Sequence, residues 1–180
     1  MRNRLTVIGM CLLAGMFAVS AGAATAAKPA KATMKIGVYD SRGVAIAYAR
    51  SPEFGKSMMK LRADYEQAKA KGDTALVKKL GQEGPWMQVR LHQRGFSTAG
   101  CGDLLAKVAD GMPGVAREAG VVLIVSKWEM PYQDASIEVV DVTVPIAKLF
   151  KADEQTLELL GELAANKPIP FDEIPLDSND

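Results

Sequence analysis

The sequence MKIGVYDSRGVAIAYARSPE, from Met34 to Glu53, predicts a strand, a helix and the start of a second helix. Its first six residues alternate apolar with small or polar side chains, a pattern typical of a β-strand. Asp40 or Ser41 can then cap a helix that runs through Ala49. Ser51 can cap a second helix, and the proline after it can occupy the first helical position. Proline is tolerated there because the N–H that it lacks would have no partner in the helix. A sheet and helices therefore share one domain.

The segment that follows has the most regular apolar spacing in the chain. Its apolar positions are separated by four, three, four and three residues, which is typical of a coiled-coil seam. We expect a helix from Glu53 to Leu80, a reversal at Gly81–Pro85, and a returning helix that Pro85 opens. The seam consists of Phe54, Met58, Leu61, Tyr65 and Ala68.

The returning helix is interrupted by glycine and proline. Three glycines in Gly95–Gly102 predict a break. Asp103 resumes the helix, and Pro113 should kink it or start a new helix after Gly111. We therefore expect a projecting helical arm over about residues 52–119.

The C-terminal half supplies the other β-structure. Val121–Ser126 is a continuous apolar run, which predicts a central strand. Ile137–Val144 is a second β-rich stretch, and short helices should follow from Pro145 and from Asp153 to near Asn166. The predicted fold class is α+β: a small β-sheet body within residues 34–166, a projecting helical hairpin and short C-terminal helices. The acidic, proline-rich tail, residues 167–180, should be extended or disordered.

The N-terminus decides the compartment. Arg2 and Arg4 precede an uncharged apolar run, Leu5–Val19, and small residues follow it. This pattern predicts a secretory signal peptide over residues 1–26 with a small-x-small cleavage site at Ala24–Ala26, followed by a linker over residues 27–33. The mature protein would then be periplasmic. An uncleaved anchor helix is the alternative, because the apolar stretch nearly reaches the length that spans a bilayer.

Few residues suggest catalysis. Cys11 would leave with the signal peptide, so that Cys101 alone remains and no internal disulfide can form. Cys101 lies between two glycines and could be a reactive thiol or a small buried residue. His92 is the only histidine, and no nucleotide-binding or hydrolase motif is present. We predict no catalytic residue, no cofactor and no metal site.

Charge is distributed unevenly along the chain. Arg50–Arg94 carries ten basic and five acidic side chains, whereas the chain from Lys127 onward carries four basic and twelve acidic ones. The basic segment is either a solvated face or an arm that meets acidic polypeptide or an anionic membrane surface. We expect no nucleic-acid partner. The candidate client-binding residues are Lys56, Lys60, Lys69, Lys71, Lys78 and Lys79.

The order of these segments resembles the Skp/OmpH family of periplasmic chaperones. The resemblance is carried by Lys35–Asp40 with the helix after it, and by Ala119–Val125 through Val140–Thr143 to Leu149. It implies a small β-containing body from which helical arms project. It also implies a trimer whose bodies assemble through their strands and whose basic arms enclose unfolded outer-membrane proteins.

The sequence is compatible with three functions. The first is an ATP-independent periplasmic holdase for unfolded or outer-membrane proteins. The second is an exported scaffolding protein that oligomerises through its body. The third is an exported enzyme that depends on Cys101 and His92. A homo-oligomer, with a trimer favoured, is expected because an unpaired strand edge would promote aggregation.

Overall fold

A computed structural model of the chain describes residues 34–174. The predicted signal peptide, the linker and the last six residues of the tail lie outside this range. Within it the chain forms a small sheet and seven α-helices, with 3-10 turns at Ala109–Gly111 and Phe171–Glu173. The elements are β1 (Lys35–Tyr39), α1 (Ser41–Ala49), α2 (Pro52–Ala70), α3 (Thr74–Phe96), α4 (Gly102–Ala106), α5 (Met112–Ala119), β2 (Ile124–Ser126), β3 (Glu138–Asp141), α6 (Thr143–Leu149) and α7 (Glu154–Ala165).

The three strands form one parallel sheet in the order β2-β1-β3. Gly37 of the central strand pairs with Ile124 on one side and with Val140 on the other. The mixed α and β character agrees with the sequence prediction. The carboxyl ends of all three strands therefore meet at a single edge of the sheet.

The prediction that Val121–Ser126 is a central strand was wrong. β2 is an edge strand and begins only at Ile124. Val121 donates its N–H to the carbonyl of Ala116 and so still closes α5. Val122 and Leu123 are 71% and 53% exposed. An apolar run of strand length does not show by itself which of its residues are buried.

Helix α1 is the centre of the core. It packs against α3, α6, α7, α4 and α2, and Val44, Ala47 and Tyr48 are buried on it. Gly43 permits a close approach to α6, because a Cβ at this position would lie 2.6 Å from Cγ2 of Thr143. The other buried members of the core are Tyr39, Ala45, Cys101, Leu104, Val115, Val142, Ile146, Ala147, Phe150 and Leu160.

The predicted helix starts are confirmed at three sites. Asp40 caps α1 by accepting the N–H of Arg42 at 3.0 Å. Ser51 caps α2 by accepting the N–H of Phe54 at 3.1 Å. Asp153 caps α7 in the same way. Each cap satisfies an N–H that the helix itself leaves without a partner.

The reversal between the two long helices lies earlier than predicted. We expected one helix to Leu80 and a turn at Gly81–Pro85, but the chain turns at residues 71–73. Gly72 has a φ of 71°, in the left-handed region that glycine adopts without strain. Asp73 then caps α3 by accepting the N–H of Leu76 at 3.0 Å. Residues 71–73 thus end α2, reverse the chain and start α3.

The predicted stop at Gly81–Pro85 instead lies inside α3. Both glycines of this stretch face α2: a Cβ on Gly81 would lie 3.6 Å from Tyr65, and one on Gly84 would lie 4.0 Å from Leu61. These contacts favour helix over turn, although Pro85 cannot donate a backbone hydrogen bond. Packing of α3 against α2 and α1 therefore overrides the local signal.

The long helical segment ends where the glycines predicted, and it is shorter than the expected arm. Helix α3 ends at Phe96 and α4 begins at Gly102. Helix α5 starts after Gly111, as expected. Because Leu104 and Val115 are core residues, α4 and α5 belong to the body. We therefore use "hairpin" for α2 and α3 alone.

The second β-rich stretch and the tail also differ from expectation. β3 covers only Glu138–Asp141 of the predicted Ile137–Val144, because α6 begins at Thr143. In the tail, Ile169 donates its N–H to the carbonyl of Phe96 at 2.8 Å. Ile174 is buried. The described part of the tail is therefore held at two positions, Ile169 and Ile174, although most of its other side chains are exposed.

Candidate functional site

An open groove of about 570 Å³ lies where the hairpin meets α1. All three helices contribute to its wall. Only two polar side chains, Gln88 and His92, take part in the lining. The larger apolar side chains of the wall are Ile46, Phe54, Met58, Met87, Leu91 and Phe96.

Small residues create the space in this groove. Ala45 and Ala49 form the α1 side, and Gly84 and Gly95 lie opposite on α3. A Cβ at Gly95 would meet nothing closer than Ile46, at 4.0 Å. Larger side chains at these positions would fill part of the groove. The glycines and alanines therefore leave an apolar surface uncovered.

The hairpin carries further exposed apolar side chains. Trp86 is 64% exposed, and Met59 and the groove residue Phe96 are also exposed. An apolar groove that is open to solvent is typical of sites that bind a protein or an apolar ligand. Methionine suits such a site, because its flexible thioether chain adapts to different shapes.

The six candidate lysines all lie on the hairpin or in its turn, and all are exposed. Lys60 pairs with Asp64 at 2.6 Å along α2. In the part of the chain that the structure describes, the other five lysines form no ion pair. The apolar groove thus lies at the base of a hairpin whose positive charge is largely uncompensated.

Cys101 and His92 occupy different kinds of environment. Cys101 is fully buried in the core, and its Sγ donates to the carbonyl of Ser41 at 3.2 Å. Burial raises the pKa of this thiol to about 12, so that it stays protonated at neutral pH. His92 instead lines the groove and stacks at a tilt on Phe96. This environment favours the structural interpretation of Cys101.

We expect Cys101→Ser to lower the free energy of unfolding by about 1 kcal/mol, at the low end of the cost of placing a hydroxyl in a core. The cost is small because the serine can still donate to the carbonyl of Ser41. Urea unfolding of the mature protein measures this change. Native Cys101 should also react slowly with a thiol reagent at neutral pH. Rapid labelling together with loss of activity in the serine variant would contradict the structural role.

Sequence reasoning missed a buried ionic cluster at the carboxyl edge of the sheet. Arg42 is only 2% exposed and binds Asp40 through both Nε and Nη2, the latter at 2.7 Å. Nζ of Lys127 lies 2.7 Å from Oδ2 of Asp40, the oxygen that Nη2 of Arg42 also binds, and Trp128 donates its Nε1–H to Oδ1 at 3.2 Å. The only sequence signal was the position of these residues, directly after predicted strands.

Arg42 also links α1 to the C-terminal end of α7. Its guanidinium donates to the carbonyls of Leu163 and Asn166, at 3.2 Å and 2.9 Å. These carbonyls end α7, where a cation is favoured by the helix dipole. Burial opposes ionisation of Asp40, but its hydrogen bonds from Arg42 and Lys127 outweigh that effect and lower its pKa. The cluster therefore has a clear structural role.

Two other kinds of feature, a metal-binding cluster and a membrane-spanning helix, are absent from residues 34–174. No group of three or more histidine, cysteine or carboxylate side chains there could hold a metal ion. No helix in the same range is long and apolar enough to cross a membrane. Neither a protein-family model, nor a curated protein, nor a solved structure matches this chain.

Proposed function

We propose that this chain is an exported, ATP-independent, chaperone-like protein that binds unfolded polypeptides, outer-membrane proteins among them. The observation that carries the proposal is the apolar groove between α1 and the hairpin. Its volume lies in the range of pockets that bury a ligand of several apolar groups. An apolar segment of an unfolded chain would fill it and remove both surfaces from water.

The lysines extend this surface along the hairpin. Exposed charges attract an oppositely charged chain over roughly 10 Å at about 0.1 M salt. The lysines would therefore recruit acidic segments and hold them near the groove without a fixed geometry. Such a site selects for composition rather than for one sequence, as a holdase requires. An anionic membrane surface would be attracted by the same charge.

We also propose that the protein is a homo-oligomer, with a trimer favoured. Both β2 and β3 have one edge that pairs with no strand in the described part of the chain. The exposed Val122 and Leu123 precede β2. Pairing of strand edges between subunits would cover both features. The resemblance to the Skp/OmpH family favours this arrangement and a coiled-coil-like hairpin.

The two alternatives have less support. A scaffolding protein would need the same oligomer, but it gives no role to an open groove lined by methionine and aromatic residues. A thiol-dependent enzyme would need a thiolate, whereas burial keeps Cys101 protonated. Client binding uses the groove and the lysines together.

The direct test is suppression of aggregation. An outer-membrane protein unfolded in urea is diluted into buffer with or without the mature protein, and light scattering is followed. We expect scattering to fall in proportion to the added protein, without ATP. Unchanged scattering at a molar excess of the mature protein would contradict the proposal.

The charge reversal Lys69→Glu, Lys71→Glu, Lys78→Glu and Lys79→Glu should weaken client binding about tenfold at low salt. The four lysines are exposed, so that the body and the oligomer should be unchanged. Added salt should weaken binding to the original protein and have less effect on the variant. Fluorescence anisotropy of a labelled client measures both affinities. Equal affinity of the two proteins at low salt would show that the lysines are only a solvated face.

A further inference from the structure

A second, smaller pocket of about 260 Å³ lies at the carboxyl edge of the sheet. Asp40 follows β1, Lys127 follows β2, and Asp141 ends β3, and all three line it. In open parallel sheets this edge is where small ligands bind. Apart from Thr143, the rest of the wall is apolar or glycine and comes mainly from α7, which contributes Leu157, Leu160 and Leu163.

Hydrogen bonds fix the polar side of this pocket. The backbone N–H of Lys127 donates to the carbonyl of Tyr39 at 3.0 Å. The N–H of Asp40 donates to Oγ1 of Thr143 at 2.9 Å, and the N–H of Thr143 donates to Oδ1 of Asp141 at 2.8 Å. The three strand ends are therefore held at fixed distances, and the site is preformed.

Two charged groups in the pocket, Lys127 and Asp141, can each form further hydrogen bonds or ion pairs. Arg42 already neutralises Asp40 with two of its nitrogens. Lys127 uses one donor on Asp40 and lies 4.4 Å from the centre of the Trp128 ring, so that its ammonium keeps donors for another partner. Asp141 uses only Oδ1, and no ion pair joins it to Lys127 within the described range.

These two groups have opposite charge and come from the two edge strands, since Lys127 follows β2 and Asp141 ends β3. Nζ of Lys127 reaches Asp40, which follows the central strand, and both charged groups line the same pocket. A ligand between them would need an anionic group for Lys127 and a donor for Asp141. Its remaining part would face the leucines of α7.

We propose that this pocket binds a small carboxylic acid with an adjacent ammonium or hydroxyl group and an apolar tail, such as an apolar α-amino acid. The carboxylate accepts from Nζ of Lys127, the ammonium or hydroxyl group donates to Oδ2 of Asp141, and the tail packs on α7. This site does not include the groove and does not depend on client binding.

Lysine footprinting of the unaltered mature protein tests the proposal. The protein is acetylated briefly with or without L-leucine, and the modification of Lys127 is compared with that of Lys148 by mass spectrometry. Lys148 is exposed on α6 and serves as an internal reference. At a concentration ten times the Kd, L-leucine should slow acetylation of Lys127 about tenfold and leave Lys148 unchanged.

Two analogues and one variant identify the contacts. Isopentylamine lacks the carboxylate and should protect Lys127 at least tenfold less well than L-leucine. 4-Methylpentanoate lacks the ammonium group and should bind Asp141→Asn as well as it binds the original protein. L-Leucine should lose affinity for that variant. The proposal is overturned if millimolar L-leucine leaves Lys127 as reactive as before, or if it protects Lys148 equally.

Discussion

Arg42→Met should lower the free energy of unfolding by about 3–5 kcal/mol, the usual cost of removing one partner from a buried ion pair. The variant leaves Asp40 buried with Lys127 as its only cation and removes two donors from the end of α7. Methionine retains much of the apolar volume, so that the loss reports mainly on charge and hydrogen bonding. Urea unfolding followed by circular dichroism measures the change.

A matched control is Arg117→Met, on the exposed side of α5. Its effect should stay within about 0.5 kcal/mol, as for most surface substitutions. A loss below about 1 kcal/mol in Arg42→Met would contradict the account of the cluster, because it would lie within the range of exposed ion pairs.

The same cluster should determine part of the acid stability. Because the folded state lowers the pKa of Asp40, this carboxylate stabilises the protein at pH values above its usual pKa. That contribution is lost as the pH falls toward the folded-state pKa. In Arg42→Met the pKa of Asp40 should rise, and stability should depend less steeply on pH below pH ~4.

The double substitution Met58→Asp with Met87→Asp should weaken client binding by about 100-fold or more. Each methionine would otherwise bury apolar surface worth about 1.5–3 kcal/mol against the client, and about 1.4 kcal/mol corresponds to a tenfold change. Both side chains line the groove and are only half-buried, so that the fold should tolerate the change. Anisotropy titration with an unfolded outer-membrane protein measures the affinity.

Met34→Asp is the matched control for these methionines. Met34 is exposed directly before β1 and does not line the groove. It should bind the client with unchanged affinity. Circular dichroism and thermal melts should show that both variants remain folded. Binding by the double variant within threefold of the original would exclude the groove as the principal binding surface.

Local signals in the sequence predicted the helix starts well. Asp40, Ser51 and Asp153 each lie where a side-chain oxygen can accept a backbone N–H two or three residues later, and all three cap a helix. The break at Gly95–Gly102 and the start of α5 after Gly111 were also predicted from neighbouring residues alone. Such features depend on neighbouring residues only, which explains their reliability.

Features that depend on distant residues could not be predicted in the same way. Gly81–Pro85 has the composition of a turn, but contacts with Tyr65 and Leu61 place it inside α3. The groove is formed by three consecutive helices, and it depends on how they pack together rather than on any one segment. The exposure of the six candidate lysines, in contrast, could be predicted from their positions outside the apolar seam.

The ionic cluster shows the same limit. Asp40 and Arg42 are close in sequence, but Lys127 and Trp128 reach them only because β2 lies beside β1 in a parallel sheet. The sequence predicted both strands, but it made Val121–Ser126 the central strand, whereas β1 is central and β2 lies at an edge. A site at the shared edge of the sheet follows only once that order is known.

Photo-crosslinking from the groove tests the central claim most directly. A photoreactive amino acid is placed at Met87, in the groove, or at Leu159, on the exposed side of α7, and each protein is irradiated with an unfolded outer-membrane protein. We predict that position 87 gives a client adduct, that the adduct disappears in the presence of excess unlabelled client, and that position 159 gives little. Adducts of equal yield at both positions, or at position 159 alone, would contradict binding in the groove.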